Sequence, residues 1–191
     1  VMDDQKSTRV KDALENVSGV RPTPTLGTGT GFTIRGFRNP RIYRNGLVAN
    51  AANAGFPTDY EAANLESIEV LKGPAAVLFG RIEPGGLINL TTKRPLDTPY
   101  YSVEQQFGSY DYYRTQWDAG GSVTEDGTLL YRFSGAYQNS NSFRDFLFTD
   151  RIVVSPSITW RPTDSTDFTL NIEGFNQDYQ ADFGVPVIGE R

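Results

Sequence analysis

The chain contains neither cysteine nor histidine. The first absence excludes disulfides and thiolate metal centres. The second excludes imidazole-ligated zinc and any Ser-His-Asp triad. Nowhere are there the roughly 18 uninterrupted apolar residues of a transmembrane helix, so a membrane role falls to strands or to surface contact. Positive charge is also short. Against 23 Asp and Glu stand 18 Lys and Arg, a formal net charge of −5, where a nucleic-acid partner calls for a basic face. No basic segment followed by an apolar one opens the sequence, so no secretory signal is read in it. The pattern starts in mid-element and stops at Val185–Arg191, which reads as a piece of a longer chain.

What is present is concentrated between Ser67 and Pro95, SIEVLKGPAAVLFGRIEPGGLINLTTKRP. Ile68, Val70 and Leu71 suit a strand, which Lys72-Gly73-Pro74 ends, because proline lacks a ladder donor and restricts its predecessor. Ala75 to Phe79 has room for a turn or two of helix, closed by Gly80 in the left-handed cap position. Glu83-Pro84-Gly85-Gly86 predicts a type II turn with positive φ at Gly85, before Leu87, Ile88 and Leu90 resume a strand. Glycines between a strand and a helix raise the question of a phosphate loop, but the run has neither a Gly-Lys-Ser/Thr closure nor a G-x-G-x-x-G after a strand, so it reads as a folded structural unit.

The same run resembles the plug-domain signature of TonB-dependent outer-membrane receptors: IEVLKGP, then AAVLFG, PGG and INLTTKRP. It is similar in particular to their ferric-siderophore branch, of the ferrichrome and ferrioxamine type. The likeness extends upstream through DALENVSGV and FTIRGF and downstream through SITWRPTDSTDFTL.

Upstream, Val10, Ala13, Leu14 and Val17 share one helical face, with Ser7 as the predicted cap and Ser18-Gly19 as the stop. Pro22 and Pro24 prevent the helix from resuming, Gly27 to Gly31 reads as a loop, and Phe32–Phe37 as a short strand. Asn45-Gly46 is a two-residue hairpin signal joining Ile42–Arg44 to Leu47–Val48. Ala49 to Tyr60 lacks core periodicity and reads as an exposed loop. A compact metal chelate wants aromatic walls and a few directed donors. Asn50, Asn53, Phe56 and Tyr60 are of those types, and the resemblance implies that such a loop touches ligand at the outward-facing apex. A solvated linker fits the residues too. Arg35, in IRGF, corresponds by resemblance to a ligand-contacting plug arginine, with a structural salt bridge as its competing role. Glu69, Lys72 and Arg81 resemble the family's charged residues that hold plug against barrel wall, or else are surface charges.

Beyond Pro95 the composition changes to regular alternation. Tyr101, Val103, Gln105 and Phe107 share a face, as do Tyr113, Thr115, Trp117 and Ala119. So do Tyr131, Phe133, Gly135 and Tyr137; Ile152, Val154, Pro156, Ile158 and Trp160; and Phe168, Leu170 and Ile172. Polar residues occupy the alternate positions. Runs of about ten residues with this pattern suit tilted strands crossing a bilayer, apolar side to lipid and polar side to a lumen, whereas soluble sandwich strands are nearer five or six. Thr124–Gly127 and Pro162–Ser165 predict tight turns on the periplasmic side; Asn139–Thr149 and the segment after Gln177 predict longer outer loops. About five strands cannot close a barrel, since plugged transporters use about twenty-two.

The expected fold class is thus an α+β plug domain, residues 1–97, followed by antiparallel transmembrane β-barrel strands, residues 98–191, as part of a plugged barrel. The resemblance implies no enzyme and no resident cofactor, iron arriving only inside its chelator. It also implies a receptor in the outer membrane of a Gram-negative bacterium, with a ferric siderophore, TonB with ExbB/ExbD, and outer-membrane lipid as partners. Receptors of the same fold for cobalamin, haem or carbohydrate remain open, as does a passive pore or surface protein.

Overall fold

A computed structural model of the chain describes residues 7–24, 30–38, 40–49, 60–73, 79–80 and 84–180. Helix α1 (Val10–Glu15) is shorter than its apolar spacing suggests. The cap is Arg9 rather than Ser7: the Asp12 carboxylate accepts the Arg9 backbone N–H at 3.2 Å and the Thr8 hydroxyl at 3.4 Å, so the acidic residue inside the first turn satisfies its entrance. Gly19, at φ +75°, ends the helical segment as its position predicts.

Strands β1 (Val20–Pro24), β2 (Thr30–Ile34) and β3 (Phe37–Arg38) form an antiparallel three-stranded sheet. The two prolines hide β1 from a sequence reading, yet β1 is the edge of its sheet, where a missing donor costs no ladder bond. The predicted strand to Phe37 is broken at Arg35-Gly36, whose φ values of +50° and +89° make a tight turn.

A second sheet, ordered β5-β4-β7-β6, contains β4 (Arg41–Arg44), β5 (Leu47–Val48), β6 (Leu65–Lys72) and β7 (Gly86–Thr92). β4 runs parallel to β7 while the other neighbours are antiparallel. Asn45 and Gly46, at φ +50° and +81°, close the β4–β5 hairpin as predicted. The positive φ expected at Gly85 falls instead on Gly86, at +129°. Gly85 is required for another reason: a Cβ there would stand 2.4 Å from the Ile34 carbonyl oxygen. Gly80 has the expected positive φ, +73°, whereas the predicted helical turn before it lies largely outside the described residues. Val10, Leu14, Val20, Phe32, Ile34, Ile42, Leu65, Ile88 and Leu90 make one apolar core between helix and sheets.

The remainder is a single antiparallel sheet of β8 (Tyr100–Gly108), β9 (Tyr112–Ser122), β10 (Leu129–Asn141), β11 (Phe148–Thr163), β12 (Thr166–Asn171) and β13 (Gly174–Tyr179). β12 and β13 lie end to end along β11, and the Ile172 N–H still reaches the Pro156 carbonyl at 3.0 Å, so the fifth run is one strand interrupted at Glu173. Register places Val103, Trp117, Gly135 and Val154 in one row, and Gln106, Arg114, Gln138, Arg151 and Gln177 in another on the opposite face. The apolar face is the open one: Val103 is 77% exposed, while Arg114 is 1% exposed. The tight turns at Thr124–Gly127 and after Thr163 share an end with Pro99, whose Cα lies 3.1 Å from where a Cβ on Gly121 would be. At the other end, residues 142–147 form a loop. The β8–β9 connection there is short, with Tyr110 and Asp111 at φ +60° and +53°.

Candidate functional site: the face between the two halves

The segment from Tyr60 to Glu66 lies against the polar face of the large sheet. It also carries the start of the described chain. The Tyr60 carbonyl accepts the Val10 N–H at 3.0 Å, the Ala62 N–H donates to the Thr8 carbonyl at 3.1 Å, and Arg9 bridges Glu61. Small side chains permit close approach, with Ala63 packed on Ala136 and Val153.

Three ionic clusters fasten this face. In the first, Arg114 Nη2 donates to Glu61 Oε1 at 2.6 Å and Arg151 Nη2 pairs with Oε2 at 3.0 Å; these side chains are 1–3% exposed. Gln138 Oε1 accepts from Arg114 Nη1 at 3.4 Å and from Arg151 Nη2 at 3.0 Å. The Glu61 carboxylate also accepts the Ala62 and Ala63 backbone N–H groups at 3.1 and 3.3 Å. In the second, Asp118 takes a two-pronged grip from Arg132, Nε to Oδ1 at 2.9 Å and Nη2 to Oδ2 at 2.8 Å, plus Lys93 Nζ at 2.8 Å. Arg132 also donates to the Arg94 carbonyl at 3.1 Å and pairs with Glu66 at 3.3 Å. In the third, Glu173, at the break between β12 and β13, receives Arg44 and Asn64, while Asn64 Nδ2 also donates to Ser155 Oγ at 3.3 Å. Arg161 and Asp97 form a further, exposed pair.

Between these clusters lies a cavity of about 600 Å³, bounded on one side by Asn45, Tyr60, Glu61 and Asn64, and on the other by Ser155 and Ser157. The Ser157 hydroxyl is buried with no hydrogen-bond partner among the described residues. The cavity is within the size range of small-ligand pockets and mixes amide and hydroxyl groups with aliphatic ones.

The residues singled out from sequence do not gather at one place. Arg35 is in the β2–β3 turn, its Nη1 3.7 Å from where a Cβ on Gly73 would stand, just past the end of β6. Tyr60 lines the cavity with Leu65, at the start of β6. Eight residues of strand separate those ends, about 23 Å at 3.3 Å per residue. Asn50, Asn53, Phe56 and Arg81 lie outside the described residues. Glu69 accepts the Asn89 side chain at 3.3 Å within its own sheet, and Lys72 is exposed at the end of β6. The charged contacts described between the two halves come from other residues: Glu61, Glu66, Lys93, Arg44 and Asp97 on one side, and Arg114, Arg132, Arg151, Asp118, Glu173 and Arg161 on the other. Their sequence signal was available as isolated charges at inward positions of otherwise amphipathic strands. It named no partner.

Known proteins resemble both halves of the chain. The TonB-dependent Receptor Plug Domain family matches residues 1–87. The metal-pseudopaline receptor of Pseudomonas aeruginosa is 37% identical over 173 residues, 91% of this chain and 24% of that protein. The ferrichrome outer membrane transporter/phage receptor of Escherichia coli is 34% identical over 170 residues, 84% of this chain and 22% of that protein. Among solved structures, the closed form of the ferric-catecholate import receptor of E. coli superposes with a TM-score of 0.85 at 27% identity, covering 98% of this chain and 26% of that one. The chain thus spans about a quarter of the length of the relatives it matches.

Proposed function

The chain belongs to the TonB-dependent receptors, as their plug joined to the opening strands of their barrel, and from that premise we propose that the whole protein binds a ferric siderophore at its outer face and imports it by TonB-dependent active transport. The observation that carries this reading is the sealed inner face of the sheet. Glu61 and Glu66 on one half, with Asp118, Arg114, Arg132 and Arg151 on the other, make buried ion pairs across the space a solute would cross. Breaking such pairs costs several kcal/mol each when a charge is left unmatched, so opening a path needs work from outside the barrel. TonB with ExbB/ExbD is the partner class the family supplies for that work. The outward apolar rows put the sheet against outer-membrane lipid.

Ligand contact in this reading falls to the loop carrying Asn50, Asn53, Phe56 and Tyr60, with Arg35 as a further donor and Glu69, Lys72 and Arg81 holding plug against wall. No resident cofactor is invoked; the metal is cargo. The relative named for metal-pseudopaline supports a second reading, in which the chelated metal is not restricted to iron.

Titration calorimetry on the full-length receptor in detergent tests the proposal, using a ferric trihydroxamate, a ferric catecholate, a non-ferric metal chelate, cobalamin and haem. Saturable tight binding of a ferric siderophore, weakened in Phe56→Ala and Arg35→Ala, is expected. Binding confined to cobalamin or haem overturns the siderophore reading. Unchanged affinity in Arg35→Ala alone removes that residue from the site.

A further inference from the structure

Glu61 separates two features of the interface. On one side is the 600 Å³ cavity, whose boundary includes the Glu61 side chain. On the other are the guanidiniums of Arg114 and Arg151, which do not line that cavity. One carboxylate between two arginines leaves positive charge in excess, at a place where all three side chains are at most 3% exposed. Buried cations are held at a high free-energy cost without an anion. The sheet therefore carries a receptor for a carboxylate, and the plug supplies its occupant.

The receptor half is built. Arg114 aims Nη2 and Nη1 at the two Glu61 oxygens, at 2.6 and 3.4 Å, and Arg151 aims Nη2 at Oε2, at 3.0 Å. Gln138 Oε1 holds both guanidiniums, and Gln116 Oε1 accepts Arg114 Nη2 at 3.2 Å, so the donors stay oriented from the sheet side. Arg114 Nε is buried with no hydrogen-bond partner among the described residues. Arg114, Gln138 and Arg151 sit in register in three adjacent strands, a rigid base. Glu61, by contrast, lies in the strip outside the regular strands that precedes β6. A plug displacement therefore withdraws the carboxylate and leaves the arginine pair facing the cavity.

We propose that Arg114, Arg151 and Gln138 form a carboxylate-binding site in the barrel wall, occupied by Glu61 while the plug is seated and by a carboxylate of the metal chelate once the plug shifts. The second half of this statement rests on the import function proposed above. The first half does not. The ligand class is a chelate that keeps free or peripheral carboxylates around its metal; a neutral chelate gains nothing from the pair.

Two measurements on the full-length receptor test it. In Glu61→Ala, sodium formate is expected to raise the thermal unfolding midpoint saturably above the value in sodium chloride of equal ionic strength. The parent and the Glu61→Ala/Arg114→Gln double variant should not respond. An equal response to formate and chloride in Glu61→Ala overturns the site. In cells, the uptake ratio of ferric citrate, rich in carboxylates, to a neutral ferric trihydroxamate is expected to fall about tenfold in Arg114→Gln, the scale of one lost charged hydrogen bond, and less in Arg114→Lys. An unchanged ratio overturns the transit role, including where Glu61→Ala proves unable to assemble. Should neither chelate bind the parent receptor, the import reading fails, and the formate response alone decides the site.

Discussion

In the plug the buried side chains are Val10, Leu14, Ile34, Ile88 and Leu90; in the barrel sheet they are Arg114, Asp118, Arg132, Gln138 and Arg151. The two halves obey one rule under opposite boundary conditions. The plug surface faces water, so its apolar groups gather inward. The sheet has lipid on one side, so its apolar rows stay outside and its polar rows need partners, which the plug provides. Neither half completes its burial alone: the arginines of the sheet would stand unmatched without Glu61, and the plug would lose the wall that covers Ala63 and Asn64.

The largest way to test the contrast is in the apolar core. Ile88 is fully buried, and Ile88→Ala should cost about 4 kcal/mol through transfer and cavity terms. It would be measured as early protease release of the plug from the assembled receptor, with barrel unfolding unaltered. On the ionic side, Asp118→Ala strips Arg132 and Lys93 of their shared anion. Because Arg132 keeps Glu66 and the Arg94 carbonyl, the expected loss is about 3 kcal/mol, the low end for a broken buried pair, read as a lower thermal midpoint. On the outer face the signs reverse. Val103→Lys should destabilise the receptor in a bilayer by about 2–3 kcal/mol, whereas Val103→Ala should change it by less than about 1 kcal/mol, since lipid fills the space. Equal effects of the two would show that this face is not against lipid.

The smallest effect expected is a titration in the turn between β9 and β10. The Asp126 carboxyl is held down at about 2, from an ordinary 3.8, by the Thr128 hydroxyl, the Thr124 hydroxyl and the Thr128 N–H. A lowered folded pKa stabilises the charged form, so this contribution is complete above pH 3.8 and disappears as pH falls through 2. Acid unfolding followed in that window should be slightly shallower in Asp126→Asn, and the difference should vanish at neutral pH only after subtraction of the lost turn hydrogen bonds.

The strand faces were legible because side-chain alternation has a period of two, and every row from Tyr101 to Phe168 falls where that period puts it. The Asn45-Gly46 hairpin was legible for a local reason as well, since few residue pairs tolerate two positive φ values. The partners across the interface were not. Glu61 and Arg114 are 53 residues apart, and Asn64 and Glu173 are 109 apart. Nothing within either window encodes the other. β1 was hidden by prolines that only its edge position excuses, and Gly85 was read as a turn residue when its constraint comes from Ile34, in a different sheet. The separation of Arg35 from Tyr60 is of the same kind, a product of how β6 is oriented and not of any motif.

Both tryptophans of the chain belong to the outer rows. Trp117 lies across Gly135, where even a methyl group would meet its ring at 2.5 Å, and stacks on Phe133 at 6.1 Å; Trp160 stacks on Phe168 at 5.8 Å. Trp117 sits mid-strand and Trp160 near the tight-turn end. The ultraviolet emission of this part of the protein is therefore a depth gauge for the surrounding acyl chains. Bromine placed deep in the lipid tails should darken Trp117 first, and bromine nearer the headgroups should darken Trp160, whatever the plug is carrying.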